Sequence, residues 1–199
     1  MYSKENENKS DSEKVKATKK RLKETLIELL KEKKLEQITV VEITDRANLN
    51  RTTFYRHYLD VYDLYEKIVD EYAQVAKSIF PIYFRKIWRG EFSGLDDELV
   101  IYWEEHKEKL KIVLLQDHQL IDRIKQGNMA YVREYLQIPN DDKEINLIME
   151  FYMSGTLGLI LKCLQDKITA ADMRKVMTLQ YEIVTSSLLE ALNKRVVKE

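Results

Sequence analysis

The sequence predicts an all-α protein of about nine helices. Three observations carry that prediction. The 199 residues include only 5 Gly and 2 Pro, too few to punctuate many short strands. Apolar residues recur at spacings of three and four along most of the chain, the period of a helix face. No segment shows the alternation of a half-buried strand, and no internal repeat is visible. With 33 basic and 34 acidic side chains the formal charge is −1, and a 34% charged, 44% apolar composition is that of a globular chain, not a disordered one. The length admits one large domain or two small ones.

Residues 1–11 are polar and read as a flexible tail, with no apolar run of the kind a signal peptide needs. From Ser12 to Lys33, Leu22, Leu26, Leu29 and Leu30 form one helical face between Lys, Arg and Glu. A short loop passes through Leu35. The run Ile38-Thr39-Val40-Val41-Glu42-Ile43 is a detailed helix start. Thr39 can cap, Glu42 completes a capping box, and Ile38 and Ile43 can form the hydrophobic staple. This helix ends near Ala47, where Asn48 can take the left-handed conformation. Asn50 offers a second N-cap for a very short helix, Arg51 to His57. Asp60 caps the next one, with Leu59 stapling onto Leu64, and Pro81 bends or breaks it after Phe80. Further helices are expected at about 82–89, 95–105, 107–115, 118–137, 141–165 and 170–194.

Two short helices joined by Asn48-Leu49-Asn50 suggest a helix-turn-helix, which places residues 12–60 in one domain and 61–199 in another. The start of the second helix presents Arg51, Thr52 and Thr53. Arg can pair bidentately with guanine, and a Thr hydroxyl and methyl can meet a base edge. Tyr55, Arg56, His57 and Tyr58 follow, with polar or charged tips suited to phosphates. The near-neutral total hides a segregated pattern. Residues 1–70 carry 15 basic and 14 acidic side chains, yet Lys14–Lys23 holds six bases and no acid, and Arg46–Tyr58 three bases and no acid. The expected partner is double-stranded operator DNA.

These residues carry a family resemblance. Thr39-Val-Val-Glu-Ile43, Ala47-Asn-Leu-Asn50, Thr53-Phe-Tyr55-Arg-His-Tyr58 and Asp63-Leu64 together resemble the DNA-binding domain of the TetR/AcrR regulators, over roughly residues 15–66. The resemblance implies a first helix bracing the helix-turn-helix. It puts Thr39, Tyr55 and His57 on phosphates and Arg51, Thr52 and Thr53 nearest the bases. Asn48 stands where the family usually has Gly, and Val61 where it often has a phosphate-supporting Lys. Lys19 or Lys20 could substitute for that cation. The resemblance implies a dimeric, ligand-responsive repressor released from its operator by a small-molecule inducer. Val61 points to the alternative, a coactivator of the same fold acting through a protein partner. The C-terminal run from Phe151 to Gln165, with Ile168 to Met173, is similar to a subgroup of that family that includes the dihydroxyacetone-kinase operon activator, in which a Trp is frequent where this chain has Cys163.

Val176 to Leu189 contains one charged residue, Glu182. A helix apolar around most of its circumference needs cover on more than one side, and Ser154, Gly155 and Gly158 would let another helix approach closely. The expectation is a homodimer joined by the last two helices of each subunit, through Tyr152, Gly155, Leu159, Val176, Leu179, Ile183 and Ser187. The middle helices supply aromatic residues for an inducer pocket, Tyr83, Phe84, Trp88, Tyr102, Trp103, His106, Tyr131, Tyr135, Phe151 and Tyr152.

Catalysis has little support. No H-E-x-x-H, G-x-S-x-G or phosphate-loop pattern occurs, and Glu104-Glu105-His106 places its groups on different helix faces. No cofactor or metal site is expected from 3 His and 1 Cys. A single cysteine, Cys163, excludes an internal disulfide, and its apolar helix reads as an inert buried thiol. The most apolar stretch, Ile145–Leu164, has a longest charge-free run of eleven residues, Phe151–Leu161, short of the roughly 20 that span a bilayer. A cytoplasmic protein without a membrane partner is expected.

Overall fold

Glycine and proline are absent from residues 2–30, and helix α1 (Tyr2–Leu30) runs through all of them. The computed structural model describes residues 2–91, 97–116, 119–139, 141–166, 168–182 and 190, with side chains described for these except 2–12, 97–99, 116 and 119. Residues 2–11, expected as a tail, are therefore helical backbone. No Gly or Pro in their sequence breaks the helix. The chain divides into two units, residues 1–71 and 72–199.

In the first unit, one turn of 3-10 helix at Leu35–Gln37 leads to α2 (Val40–Arg46), α3 (Arg51–Tyr55) and α4 (Val61–Trp88). Leu22, Leu26, Leu29, Ile43, Phe54 and Leu64 are fully buried and form the core where α1 packs on α2 and α2 on α3. Burial of each such side chain stabilises by about 1.5–3 kcal/mol. The expected boundary at residue 60 lies eleven residues before the observed division, because Val61, Leu64, Tyr65, Ile68 and Val69 of α4 are buried and Glu71 pairs with Lys23 of α1.

The second unit contains the rest of α4, α5 (Asp97–Gln116), α6 (Gln119–Leu136), α7 (Lys143–Gln165) and α8 (Ala170–Gln180). Pro81 does not break α4. It removes one backbone donor, while Phe80 and Phe84, stacked at 5.7 Å, seat the following turns against an apolar cluster. The break expected near His106 is also absent, since no Gly or Pro separates the two segments and α5 is one helix. Helix α6 packs on α7, with Arg133 donating to Asn146 Oδ1 (3.1 and 2.7 Å) and Lys125 pairing with Glu150. Helix α5 packs on α8, whose first backbone N–H, at Ala170, donates to Glu104 Oε1 (3.0 Å). Eight α-helices stand among the described residues, against about nine expected, and all ordered elements there are helical.

Helix α7 is long and apolar enough to cross a membrane by length and composition, with a mean hydropathy of 1.4 over an 18-residue window that is only 22% buried. Asn146 and Glu150 within it are tied to α6 of its own unit.

Candidate nucleic-acid interface and ligand cavity

Helix α2 starts as its sequence dictates. Thr39 Oγ1 accepts from the Glu42 N–H (3.3 Å), and the Thr39 N–H donates to Glu42 Oε2 (3.0 Å). Lys33 holds the other Glu42 oxygen, and these bonds keep the carboxyl below the usual range. At the C-terminus Asn48 takes φ 49°, which lets the Leu49 N–H reach the Thr44 carbonyl (2.9 Å) and closes the helix. Asn50 Oδ1 accepts from the Thr53 N–H (2.7 Å) and from its hydroxyl (2.8 Å), starting α3. Ile43, Ala47 and Phe54 are buried between the two helices, so cap, turn and core fix one orientation of α3.

That orientation exposes Arg51, Thr52, Tyr55 and Arg56. Among the described residues no ion pair involves Arg51 or Arg56. His57 is half-buried, and desolvation, then Lys19, then Arg56 hold its imidazole below the ordinary histidine range. Lys19 of α1 is thus close enough to His57, just past the end of α3, to act on its charge. Lys20 is exposed and stands 4.0 Å from Glu24. Thr39 is exposed and Thr53 partly so, but both hydroxyls already serve the caps.

Several expectations for this surface are corrected. Tyr58 is not on the surface. It is 4% exposed, packs on Phe54 at 5.7 Å, and its hydroxyl is buried with no hydrogen-bond partner among the described residues. Desolvation, with lesser contributions from Glu71 and Asp63, pushes that phenol up to about 12. Arg46, counted with the basic window, is bound bidentately by Glu32 (2.7 and 3.1 Å), so its charge is locally cancelled. The Leu59–Leu64 staple does not form. The Asp63 N–H donates to Asp60 Oδ1 (2.8 Å) and the Leu59 N–H to Asp63 Oδ2 (2.9 Å), and Leu59 is left 81% exposed. Val61 is 6% exposed and belongs to the core.

The second unit holds a partly open cavity of about 320 Å³ lined by α4, α5, α6, α7 and α8. Of the residues expected to line it, Tyr83, Phe84, Tyr102, Trp103 and Tyr152 do so. Trp88, Tyr131 and Tyr135 instead pack with Phe84 at centroid distances of 5.6–6.1 Å, and His106 packs on Tyr102 at 4.3 Å. Sequence reasoning missed the methionines. Met149 and Met153 on α7, and Met173 and Met177 on α8, face the cavity, and their four-residue spacing was a readable signal. It also missed the polar wall groups, Asn128, Thr156 and Gln180. Gln180 Nε2 donates to Thr156 Oγ1 (2.6 Å), linking α8 to α7. Trp103 is 8% exposed, and its indole N–H is buried without a partner among the described residues.

The expected subunit contacts fall on both sides of α7 and α8. Tyr152 faces the cavity, and Leu159 and Val176 are half-buried. Gly155 and Leu179 are exposed, and a Cβ built on Gly155 or Gly158 would meet nothing within 4 Å. Leu147 and Ile148, which sequence reasoning passed over, and Phe151, expected in the pocket but exposed, extend that face at spacings of three and four. Ile183 and Ser187 lie outside the described residues. Cys163 is buried, and burial pushes its thiol up. The Glu104 carboxylate is held below the usual range by Lys107 and caps α8.

A capped helix-turn-helix unit followed by an all-helical unit with a cavity defines a fold class. Solved structures with that fold are a tetR-family transcriptional regulator from Streptomyces coelicolor and the dihydroxyacetone kinase operon activator DhaS. The first shares 14% identity at a TM-score of 0.58, over 92% of this chain and 89% of its own. The second shares 14% identity at a TM-score of 0.52, over 87% of this chain and 94% of its own. The chain has the all-helical fold of these proteins. No protein-family pattern matches the sequence, and no curated protein matches it.

Proposed function

We propose that the chain is a ligand-responsive transcriptional regulator that binds operator DNA as a homodimer through α3. The observation that carries this reading is the capped α2–turn–α3 unit presenting Arg51, Thr52 and Arg56 to solvent, with Lys19 near His57. Arg51 and Thr52 read base edges, while Tyr55, Arg56, His57 and Lys19 meet phosphates. The fold's occurrence in a transcriptional regulator and an operon activator supports the same class of function.

The homodimer forms through the exposed face of α7 carrying Leu147, Phe151, Gly155 and Gly158, together with Leu179 of α8. A second copy of the same helices covers a large apolar surface that water otherwise meets, and the two glycines admit close approach. Two recognition helices then meet two half-sites one helical turn, about 34–36 Å, or a multiple of it apart. This covered face accounts for the apolar character of α7 in a cytoplasmic protein.

A small molecule in the α4–α8 cavity releases the operator, which makes the protein a repressor. The ligand acts through its different affinity for the DNA-competent and DNA-released states. Helix α4, which lines the cavity, contributes residues to both units. Selection of bound fragments from genomic DNA at low salt tests the reading. Enrichment of a common sequence, with affinity falling as salt rises, is expected. A selection that enriches nothing contradicts it.

A further inference from the structure

We propose that the α4–α8 cavity selects uncharged, largely apolar ring compounds and rejects both anions and cations of the same shape. This rests on the ligand-responsive reading for its biological meaning, but the binding itself is independent of DNA. Among the described residues lining the cavity there is no Asp, Glu, Lys, Arg or His. Lys86 stands 5.4 Å over the ring of Tyr83 and His106 packs on Tyr102 at 4.3 Å, both against lining residues, but neither lines the cavity itself. Lys125 holds Glu150, Arg133 holds Asn146, and Lys107 holds Glu104, and none of these lines the cavity.

Burial pushes the Tyr102 phenol up, so it stays protonated at neutral pH. An ionic ligand would lose its hydration there and gain no counter-charge. A neutral one loses little. Phe80, Phe84, Tyr102 and Trp103 offer ring faces and edges, and the four methionine sulfurs offer polarizable, adaptable contacts that tolerate more than one ring skeleton. The polar wall is confined to amides, hydroxyls and an indole. Asn128, the Thr156–Gln180 pair and Trp103 suit one or two neutral polar atoms on the ligand. A volume of about 320 Å³ lies at the small end of the roughly 300–1,000 Å³ range of ligand sites, which suits a bicyclic or tricyclic compound.

The test is a matched pair of fluorescent probes titrated into the full-length protein without DNA. N-phenyl-1-naphthylamine is neutral, and 8-anilinonaphthalene-1-sulfonate carries the same rings with a sulfonate. The neutral probe is expected to bind one per chain with a dissociation constant on the order of 1–10 μM. The sulfonate is expected to bind at least about 100-fold more weakly, because an unpaired buried charge has no compensating partner. Leu157→Trp, which fills the cavity, and the near-isosteric Asn128→Asp, which places a carboxyl in its wall, should each weaken the neutral probe at least about tenfold. Circular dichroism identifies any variant that fails to fold, and the other then decides. Equal or tighter binding of the sulfonate overturns the proposal. So does a neutral probe that does not saturate, or one indifferent to a folded variant, which would place it on the exposed α7 face. Operator binding is scored separately, so loss of the DNA reading leaves this result standing.

Discussion

Tyr58 separates two accounts of the recognition region. Sequence alone puts its hydroxyl on a DNA phosphate, whereas the structure buries it to 4% exposure with no partner among the described residues. A buried hydroxyl that makes no hydrogen bond loses about 1–3 kcal/mol of hydration. Tyr58→Phe removes that oxygen and keeps the ring packed on Phe54 at 5.7 Å. The variant should gain about 1 kcal/mol, which for a chain of this length raises the unfolding midpoint by roughly 2–4 °C. Affinity for a selected operator fragment should stay within about twofold of wild type. Thermal unfolding followed by circular dichroism reads the first quantity, and fluorescence anisotropy with labelled DNA reads the second. A midpoint lower by about 2 °C would show that the hydroxyl has a partner. A tenfold loss of DNA affinity with unchanged stability would show that the phenol reaches DNA, and the reasoning from burial would fail.

Other consequences follow from the same contacts. Arg46→Ala should leave the salt dependence of DNA binding unchanged, because Glu32 already cancels that charge; a reduced slope would place Arg46 on a phosphate. His57 is held below its ordinary range, so the unfolded chain binds its proton more readily. Its contribution to stability is full above about pH 6.5 and is lost as pH falls through the folded value. A phosphate beside it would favour the proton, so DNA affinity should rise as pH drops below about 6.5 and lose this dependence in His57→Gln. Phe151→Asp should convert a dimer to monomers in analytical ultracentrifugation while leaving the helical spectrum intact, since Phe151 is 76% exposed; an unchanged sedimentation coefficient would exclude this face as the subunit contact. Gly90→Ala should lower stability by about 1 kcal/mol, measured in urea, because Gly90 closes α4 at φ 70°; no change would mean the turn relaxes at no cost.

The local signals were legible because they are short-range. Thr39, Glu42, Asn48 and Asn50 lie within a few residues of the groups they bond, so spacing alone specifies the capping box, the left-handed turn and the second cap. Tyr58 was misplaced because a tyrosine at a helix end is compatible with either core or surface, and only packing against Phe54 decides. The pairing of Arg46 with Glu32 spans fourteen residues and two helices, beyond any local window. The cavity was harder still. Its wall converges from five helices, and the sequence marks aromatic residues without showing which side of a helix they take. Tyr131 and Tyr102 look equivalent in sequence, yet Tyr131 packs on Phe80 and Phe84 while Tyr102 faces the cavity. Reading a break at Pro81 misjudged continuity in α4, where Phe84 seats the following turn in the core, and the break expected in α5 has no Gly or Pro to make it.

The central claim is that α3 reads operator DNA with Arg51 at a base edge. It is tested most directly by measuring the affinity of wild type and Arg51→Ala for the selected fragment and for base-substituted versions of it, across a series of salt concentrations. The wild type should lose affinity steeply as salt rises. Arg51→Ala should lose about 1–3 kcal/mol on the selected fragment and become indifferent to substitution at one base pair, with little change in salt slope. An Arg51→Ala variant that binds as tightly and as selectively as wild type would contradict the account.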